Sequence, residues 1–480
     1  MIGKKNVSAN AFISSIAKFS ISSWTSLFIG FLSVVITTRL FSPEVCGTLN
    51  LFNTASAVLV SIATLGLDTA FARFFFEPPR GWNIRELFTR CLLIAVGFLL
   101  ILSCVSLFFF ATDISYVLFQ RASFFLTALL LSNTLSSMVL TNFLAQFYRY
   151  SNDSYRYTIQ QVLMQFFSRL FVISAALIEP TVEMVLLFNT IGVVLLAIVY
   201  LWLQRKDVFS WNKCGHTENL KEVYLFALYS WPSGLAMQGA AFILPYMIAT
   251  LLDAASLGIY ASAGFFISAF NALQGGFRTY WAAFMYEHYQ DAQDQICRIH
   301  SYVAICCIIL LAGLLLFQNV LYLLIGAAFQ GSRLFFALIL IPPLLALWEQ
   351  TTCYGIALAK KNQQSLFIYV ITIALNLICC YFFINLWGLI GAAVATVVSG
   401  TIRFVLLSWR GQIYYHSIRS VWETIAGVCL LLAMGVSNTV FYEQYWMELV
   451  AVSVILILTA VVYRRPLGEC AGGIRSRICR

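Results

Sequence analysis

The chain has 480 residues, 61% of them apolar and only 10% charged, against about 25% charged in an ordinary soluble domain. At roughly 20 apolar residues per membrane-crossing helix, a mean hydropathy of +0.86 fits on the order of fourteen crossings and excludes a folded catalytic domain outside the bilayer. The 29 basic against 20 acidic residues, a net charge of +9, bear on which loops stay inside the cell rather than on nucleic acid.

In chain order, Lys4 and Lys5 precede a first apolar run over residues 11–38. It is far longer than a signal-peptide core and no small-x-small cleavage site follows, so it reads as a retained helix, with Lys18 near its cytoplasmic end. Spans are then expected over 49–72, with Asp68 near its end and Arg73 just beyond it, and over 91–111, 122–143, 158–178 and 182–203. Arg169 falls near the middle of the fifth. A polar loop over 205–222, the longest, separates these six from the rest. Beyond it the expected spans are 223–251, containing Pro232 and Pro245, 255–286, containing Arg278, then 302–324 and 334–358. Glu349 lies midway along the last of these, after Pro342 and Pro343. Four more follow over 365–384, 389–409, 422–441 and 446–463. This divides the chain into an N-terminal half (1–204), a linker (205–222), a C-terminal half (223–411) and two further helices with a basic tail (412–480).

Positive loops stay cytoplasmic. With the N-terminus inside, 21 of the 29 basic residues fall in inside segments and three outside, namely Arg39, Arg121 and Arg333. Five more, Lys18, Arg73, Arg169, Arg278 and Arg403, lie in or at the rim of spans. Both termini are therefore expected in the cytoplasm. An offset of 211 residues aligns Leu40 with Leu251 and Gly47 with Gly258, each just past an odd-numbered span. Six spans between them leave the copies in the same orientation, as in parallel transporter repeats.

A charge in hydrocarbon costs about 2.5–3.5 kcal/mol, so charges kept in spans face a bundle interior or a wet cavity. Lys18, Asp68, Arg73 and Arg278 share a depth near the cytoplasmic side, and three of the four are basic. Such a set suits a phosphate or pyrophosphate, with Asp68 paired to Arg73 or Lys18; for Lys18 and Arg73 the alternative is snorkelling to the lipid headgroups. Arg169 and Glu349 form an expected ion pair; Glu349 or Asp68 could instead couple an ion gradient to transport. Arg403 reads as a snorkelling residue. Pro232 and Pro245, with Gly234 and Gly239 nearby, mark the seventh span as a gating helix or a static kink. Tyr229, Trp231, Tyr280 and Trp281 near this depth could stack on sugar rings. Of the 13 cysteines, Cys104, Cys306, Cys307, Cys379, Cys380 and Cys429 sit inside apolar runs and read as free core thiols, and no metal-type spacing with histidine appears. Neither a metal nor a cofactor is called for, and no phosphate loop for ATP hydrolysis is present.

The stretch Thr38-Arg39-Leu40-Phe41-Ser42-Pro43-Glu44-Val45-Cys46-Gly47, with Thr64-Leu65-Gly66-Leu67-Asp68-Thr69-Ala70-Phe71-Ala72-Arg73-Phe74, resembles the first two spans of bacterial Wzx-type polysaccharide flippases. These belong to the superfamily of multidrug, oligosaccharidyl-lipid and polysaccharide exporters. Asp253 to Ala261 and Trp387-Gly388-Leu389-Ile390-Gly391-Ala392-Ala393 are similar to later family motifs; Cys46 stands where the family usually has tyrosine. The resemblance implies an all-α polytopic fold of about fourteen helices, two six-helix lobes around a central cavity plus two C-terminal helices. It further implies an inner-membrane protein moving a polyprenyl-pyrophosphate-linked oligosaccharide, an O-antigen or capsule repeat, to the periplasmic leaflet by alternating access. Its implied partners are that lipid, the bilayer, and the polymerase and chain-length machinery of the pathway. Of the cationic residues expected on the pyrophosphate, Arg73 lies within the shared motif, whereas Lys18 and Arg278 rest on depth. The rivals are a peptidoglycan-precursor flippase, a cation-coupled drug exporter favouring cavity carboxylates, and a membrane polymerase, which would need a large outside loop that is absent from the sequence.

Overall fold

The computed structural model describes residues 25, 28–151, 153–208, 220–359 and 361–469. Lys18, the start of the first span, most of the 205–222 linker and the tail from residue 470 lie outside them. The described residues are predominantly helical, with no strand among them, and ten of their helices are long and apolar enough to cross a membrane. The protein is therefore an all-α polytopic membrane protein, as its composition requires. It forms two compact units, Met1–Gly258 and Ile259–Arg480.

The first unit contains α1 (Phe28–Leu40), α2 (Pro43–Thr64), α3 (Leu67–Phe74), α4 (Ile84–Phe109) and α5 (Phe124–Tyr150). It continues with α6 (Ser154–Ala175), α7 (Val182–Leu203) and α8 (Lys221–Leu251). The start of α2 is written in its sequence: the Ser42 hydroxyl accepts from the Val45 N–H (3.5 Å), Pro43 opens the helix and Glu44 sits in its first turn. Its end is equally specific. Leu65 (φ 50°) and Gly66 (φ 74°) both turn left-handed, and a Cβ at Gly66 would strike the Ala227 carbonyl of α8, so only glycine fits. This break divides the expected second span into α2 and α3 and sets Asp68 at the junction. A buried aromatic cluster then anchors α3: Phe71 packs on Phe88 of α4 (5.2 Å between centroids), and Phe88 on Phe147 of α5 (5.1 Å).

Midway along α5 the winding loosens into a π turn over Met138–Leu144. Two buried glutamines supply donors to its carbonyls. Gln160 Nε2 of α6 donates to Leu140 O (3.2 Å), and Gln204 Nε2, just past α7, to Leu144 O (3.4 Å). Across the unit, α8 packs against α2 and α3 and stays helical through Pro232 and Pro245. Each proline leaves the carbonyl four residues earlier, on Leu228 or Ala241, without its helical donor.

The glycines matched by the 211-residue offset meet each other. A Cβ on Gly47 would collide with the Ala254 carbonyl and lie 2.7 Å from the Gly258 N; one on Gly258 would collide with the Pro43 carbonyl and lie 3.0 Å from the Gly47 N. Pro43 and Ala254 are themselves 211 residues apart, so the contact is reciprocal.

From Ala254 the helix α9 (Ala254–His288) leads into the second unit. There it is joined by α10 (Gln293–Leu316), α11 (Ala327–Leu358), α12 (Asn362–Tyr414), α13 (Val421–Phe441) and α14 (Tyr445–Val462). The buried indole of Trp348 on α11 lies against Phe404 of α12 (4.9 Å) and the His300 ring of α10 (5.4 Å). His300 is a cross-brace: its two ring nitrogens bond the hydroxyls of Thr351 (2.7 Å) and Thr424 (3.0 Å). The 53 residues of α12 are two segments that reverse at Gly388 (φ 59°). Asn376 Nδ2 reaches Ser399 Oγ (2.7 Å) and Gln364 Nε2 reaches the Tyr414 hydroxyl (2.9 Å) across this hairpin. The spans expected over 365–384 and 389–409 are its two arms.

Candidate functional site

Within the first unit a cavity of about 420 Å³ opens between α2, α3, α5 and α8, inside the roughly 300–1,000 Å³ typical of small-molecule sites. Asn53, Ser56, Ser61 and Thr64 reach it from α2, and Asp68 and Thr69 from α3. On α5, Asn133, Ser137 and Thr141 recur every four residues, one helical face. The π turn adds their neighbour Asn142 to the wall, which regular winding would carry about 100° away. Ser230, Trp231 and Gln238 come from α8.

These side chains are interlinked. Asn133 Nδ2 donates to Ser56 Oγ (3.0 Å), and Asn189 Nδ2, behind the wall on α7, lies 3.4 Å from both Asn133 Oδ1 and Asn53 Oδ1. Asn142 Nδ2 donates to Asp68 Oδ2 (2.9 Å), while its own carbonyl accepts from the Thr141 hydroxyl (2.8 Å). The indole N–H of Trp231 donates to Ser61 O (2.8 Å), fixing the ring beside the cavity. Buried amides and hydroxyls with mutual partners make a pre-organised wall.

The predicted site residues fall in different places. Asp68 lines the cavity with Asn142 as its partner, not Arg73. Arg73 is turned outward, its side chain 55% exposed, paired with Glu77 (3.1 Å) and lying over Phe74. Arg169, on α6, keeps a buried Nε without a hydrogen-bond partner. Glu349 is 2% exposed, and its partner is Arg403 (3.0 Å) rather than the expected Arg169. The Tyr369 hydroxyl donates to the other Glu349 oxygen (3.3 Å). Arg403 is thus a pairing residue and not a snorkelling one. Arg278 is exposed on α9, within electrostatic reach of Cys353 and Tyr354, and has no ion-pair partner among the described residues. Pro232 stands beside Trp231 at the cavity wall; Pro245 lies further along α8. The amides Asn53, Asn133, Asn142, Asn189 and Gln238 were not anticipated. The available signal was their recurrence inside apolar spans.

No family model matches the chain, and no curated protein matches it. Among solved structures, the lipid II flippase MurJ in an inward closed conformation is similar at a TM-score of 0.69 and 14% identity, over 93% of this chain and 98% of that one. An inward-facing multidrug resistance MATE family transporter of the MOP superfamily is similar at 0.56 and 15%, over 82% and 98%. At such identities the likeness establishes the fold: that shared by this flippase and this exporter.

Proposed function

We propose that the protein is an alternating-access flippase of the inner membrane, moving a polyprenyl-pyrophosphate-linked oligosaccharide from the cytoplasmic to the periplasmic leaflet, with both termini cytoplasmic. The observation that carries this reading is the fold held in common with a lipid flippase over nearly the full length of both chains. The hydroxyl- and amide-lined cavity supports it, as does the resemblance of the first two spans to polysaccharide flippases. In this reading Lys18 and Arg278 contact the pyrophosphate. Arg73 joins them only by leaving Glu77, an exposed ion pair of the kind worth about 0–1 kcal/mol. Asp68, Glu349 and Arg169 are the groups available for ion coupling, and α8 with its two prolines is the gating helix.

One observation favours a second reading, a cation-coupled exporter: Asp68 is the one ionisable side chain among the described lining residues of the cavity. Deleting the gene in its native host separates the two. The flippase reading expects surface polysaccharide to disappear while lipid-linked single repeats accumulate, with an Arg278→Ala complement failing to restore polymer. Unchanged surface polymer with raised sensitivity to cationic dyes selects the exporter; accumulation of peptidoglycan precursor instead reassigns the cargo.

A further inference from the structure

We infer that the cavity of the first unit is a saccharide subsite, which reads the sugar portion of the cargo apart from its pyrophosphate. The inference rests on the flippase reading and deepens it. A pyrophosphate is gripped by Arg or Lys, and no basic side chain stands among the described lining residues. A drug-like cation is held by predominantly apolar and aromatic walls, whereas most of the lining residues here carry an amide or a hydroxyl. Amide and hydroxyl side chains both donate and accept, which matches the paired donors and acceptors of vicinal sugar hydroxyls.

Three groups are poised for that task. The Gln238 amide lines the cavity and has no hydrogen-bond partner among the described residues. Asn53 is exposed and uses only its carbonyl, toward Asn189, leaving its NH₂ free to donate. Asp68 spends one carboxylate oxygen on Asn142 and keeps lone pairs for a charge-assisted bond from a sugar hydroxyl. Beside them Trp231, tethered through its N–H to Ser61, offers a flat apolar surface to the C–H face of a pyranose. Polar side chains within spans are costly unless they meet protein or a wet cavity. Their convergence from four helices on one space is what a polar ligand requires.

The test is calorimetric titration of the full chain in lipid nanodiscs with the water-soluble oligosaccharide freed by mild acid from the host's own lipid-linked pool. Inorganic pyrophosphate is the comparator. The oligosaccharide is expected to bind, with about tenfold weaker affinity in Gln238→Ala and in Asp68→Asn, and to compete with nothing that pyrophosphate occupies. Gln238→Ala removes no hydrogen bond among the described residues and shortens a side chain that is only partly buried, so folding is expected to survive it. Absence of binding, or equal affinity in both variants, overturns the subsite. A chain whose deletion blocks surface polymer yet ignores the free oligosaccharide keeps the flippase reading and loses the subsite. One that binds the oligosaccharide while its deletion leaves surface polymer intact loses the flippase reading.

Discussion

Glu349, almost fully buried, is compensated by Arg403 and Tyr369. Removing one partner of a buried pair leaves an uncompensated charge and costs about 3–5 kcal/mol, whereas replacing both with apolar groups of similar size is often neutral. Arg403→Met should therefore destabilise the protein strongly, and Glu349→Met combined with Arg403→Met should restore much of the loss. Thermal unfolding in detergent, followed by size-exclusion, measures both; a double variant no more stable than Arg403→Met would mean that the pair does not act as a unit. Arg73 and Glu77 give the opposite expectation, since both are exposed and Glu77→Ala should change stability by less than about 1 kcal/mol. The sequence identified which charges are expensive because cost depends on depth, and depth follows from position in a span. Partner choice depends on which way round the helix a side chain points and on which helices pack together, so sequence position alone puts Arg403 at the rim and Arg169 opposite Glu349, whereas the ion pair is Glu349–Arg403. The cavity amides escaped notice for a related reason: Asn, Ser and Thr in a span bond neighbouring helices as often as ligands, and only their convergence distinguishes the cases.

At the scale of elements, the π turn of α5 sets the composition of the cavity wall. Leu140 O accepts from the Ala145 N–H within the turn and from Gln160 Nε2 across it; without Gln160 it loses the second bond, worth about 0.5–1.5 kcal/mol, and regular winding becomes competitive. Gln160→Leu should both lower the unfolding temperature and weaken oligosaccharide binding, because Asn142 turns away from Asp68. Lower stability with unaltered binding would uncouple the turn from the site. The Gly47–Gly258 crossing makes a sharper demand: the colliding atoms are backbone and cannot rotate aside. Gly258→Ala and Gly47→Ala should each cost about 1–3 kcal/mol or more, while Gly239→Ala, with open space around it, should be tolerated. These helices were largely legible from hydropathy. The glycine match is visible in the 211-residue offset, and the hairpin turn at Gly388 lies inside the Trp387-Gly388-Leu389 stretch shared with the family. The π turn was not, because nothing in Met138–Leu144 taken alone favours i+5 bonding; its support comes from Gln160 and Gln204, which lie distant in sequence.

For the molecule as a whole, the loop charges predict the orientation. A C-terminal fluorescent-protein fusion should glow and a C-terminal alkaline phosphatase fusion should be inactive, since 21 basic residues fall on the inside in that orientation and three outside. The reverse pattern would invert the site's depth and remove the argument for a cytoplasmic headgroup contact. Composition made the polytopic all-α class evident, since so few charged residues leave no other way to satisfy a chain of this length. Substrate is less legible, because a shared fold serves several cargoes and the proposed saccharide subsite is assembled from side chains of four helices. The central claim is movement of a lipid-linked saccharide between leaflets, and its most direct measurement is leaflet accessibility. Spheroplasts of wild-type and deletion strains are treated with a membrane-impermeant periodate reagent, and the oxidised fraction of the lipid-linked oligosaccharide is determined. The account predicts a substantial oxidised fraction in the wild type and near-complete protection in the deletion strain, restored by the intact chain; equal oxidation in both strains would contradict it.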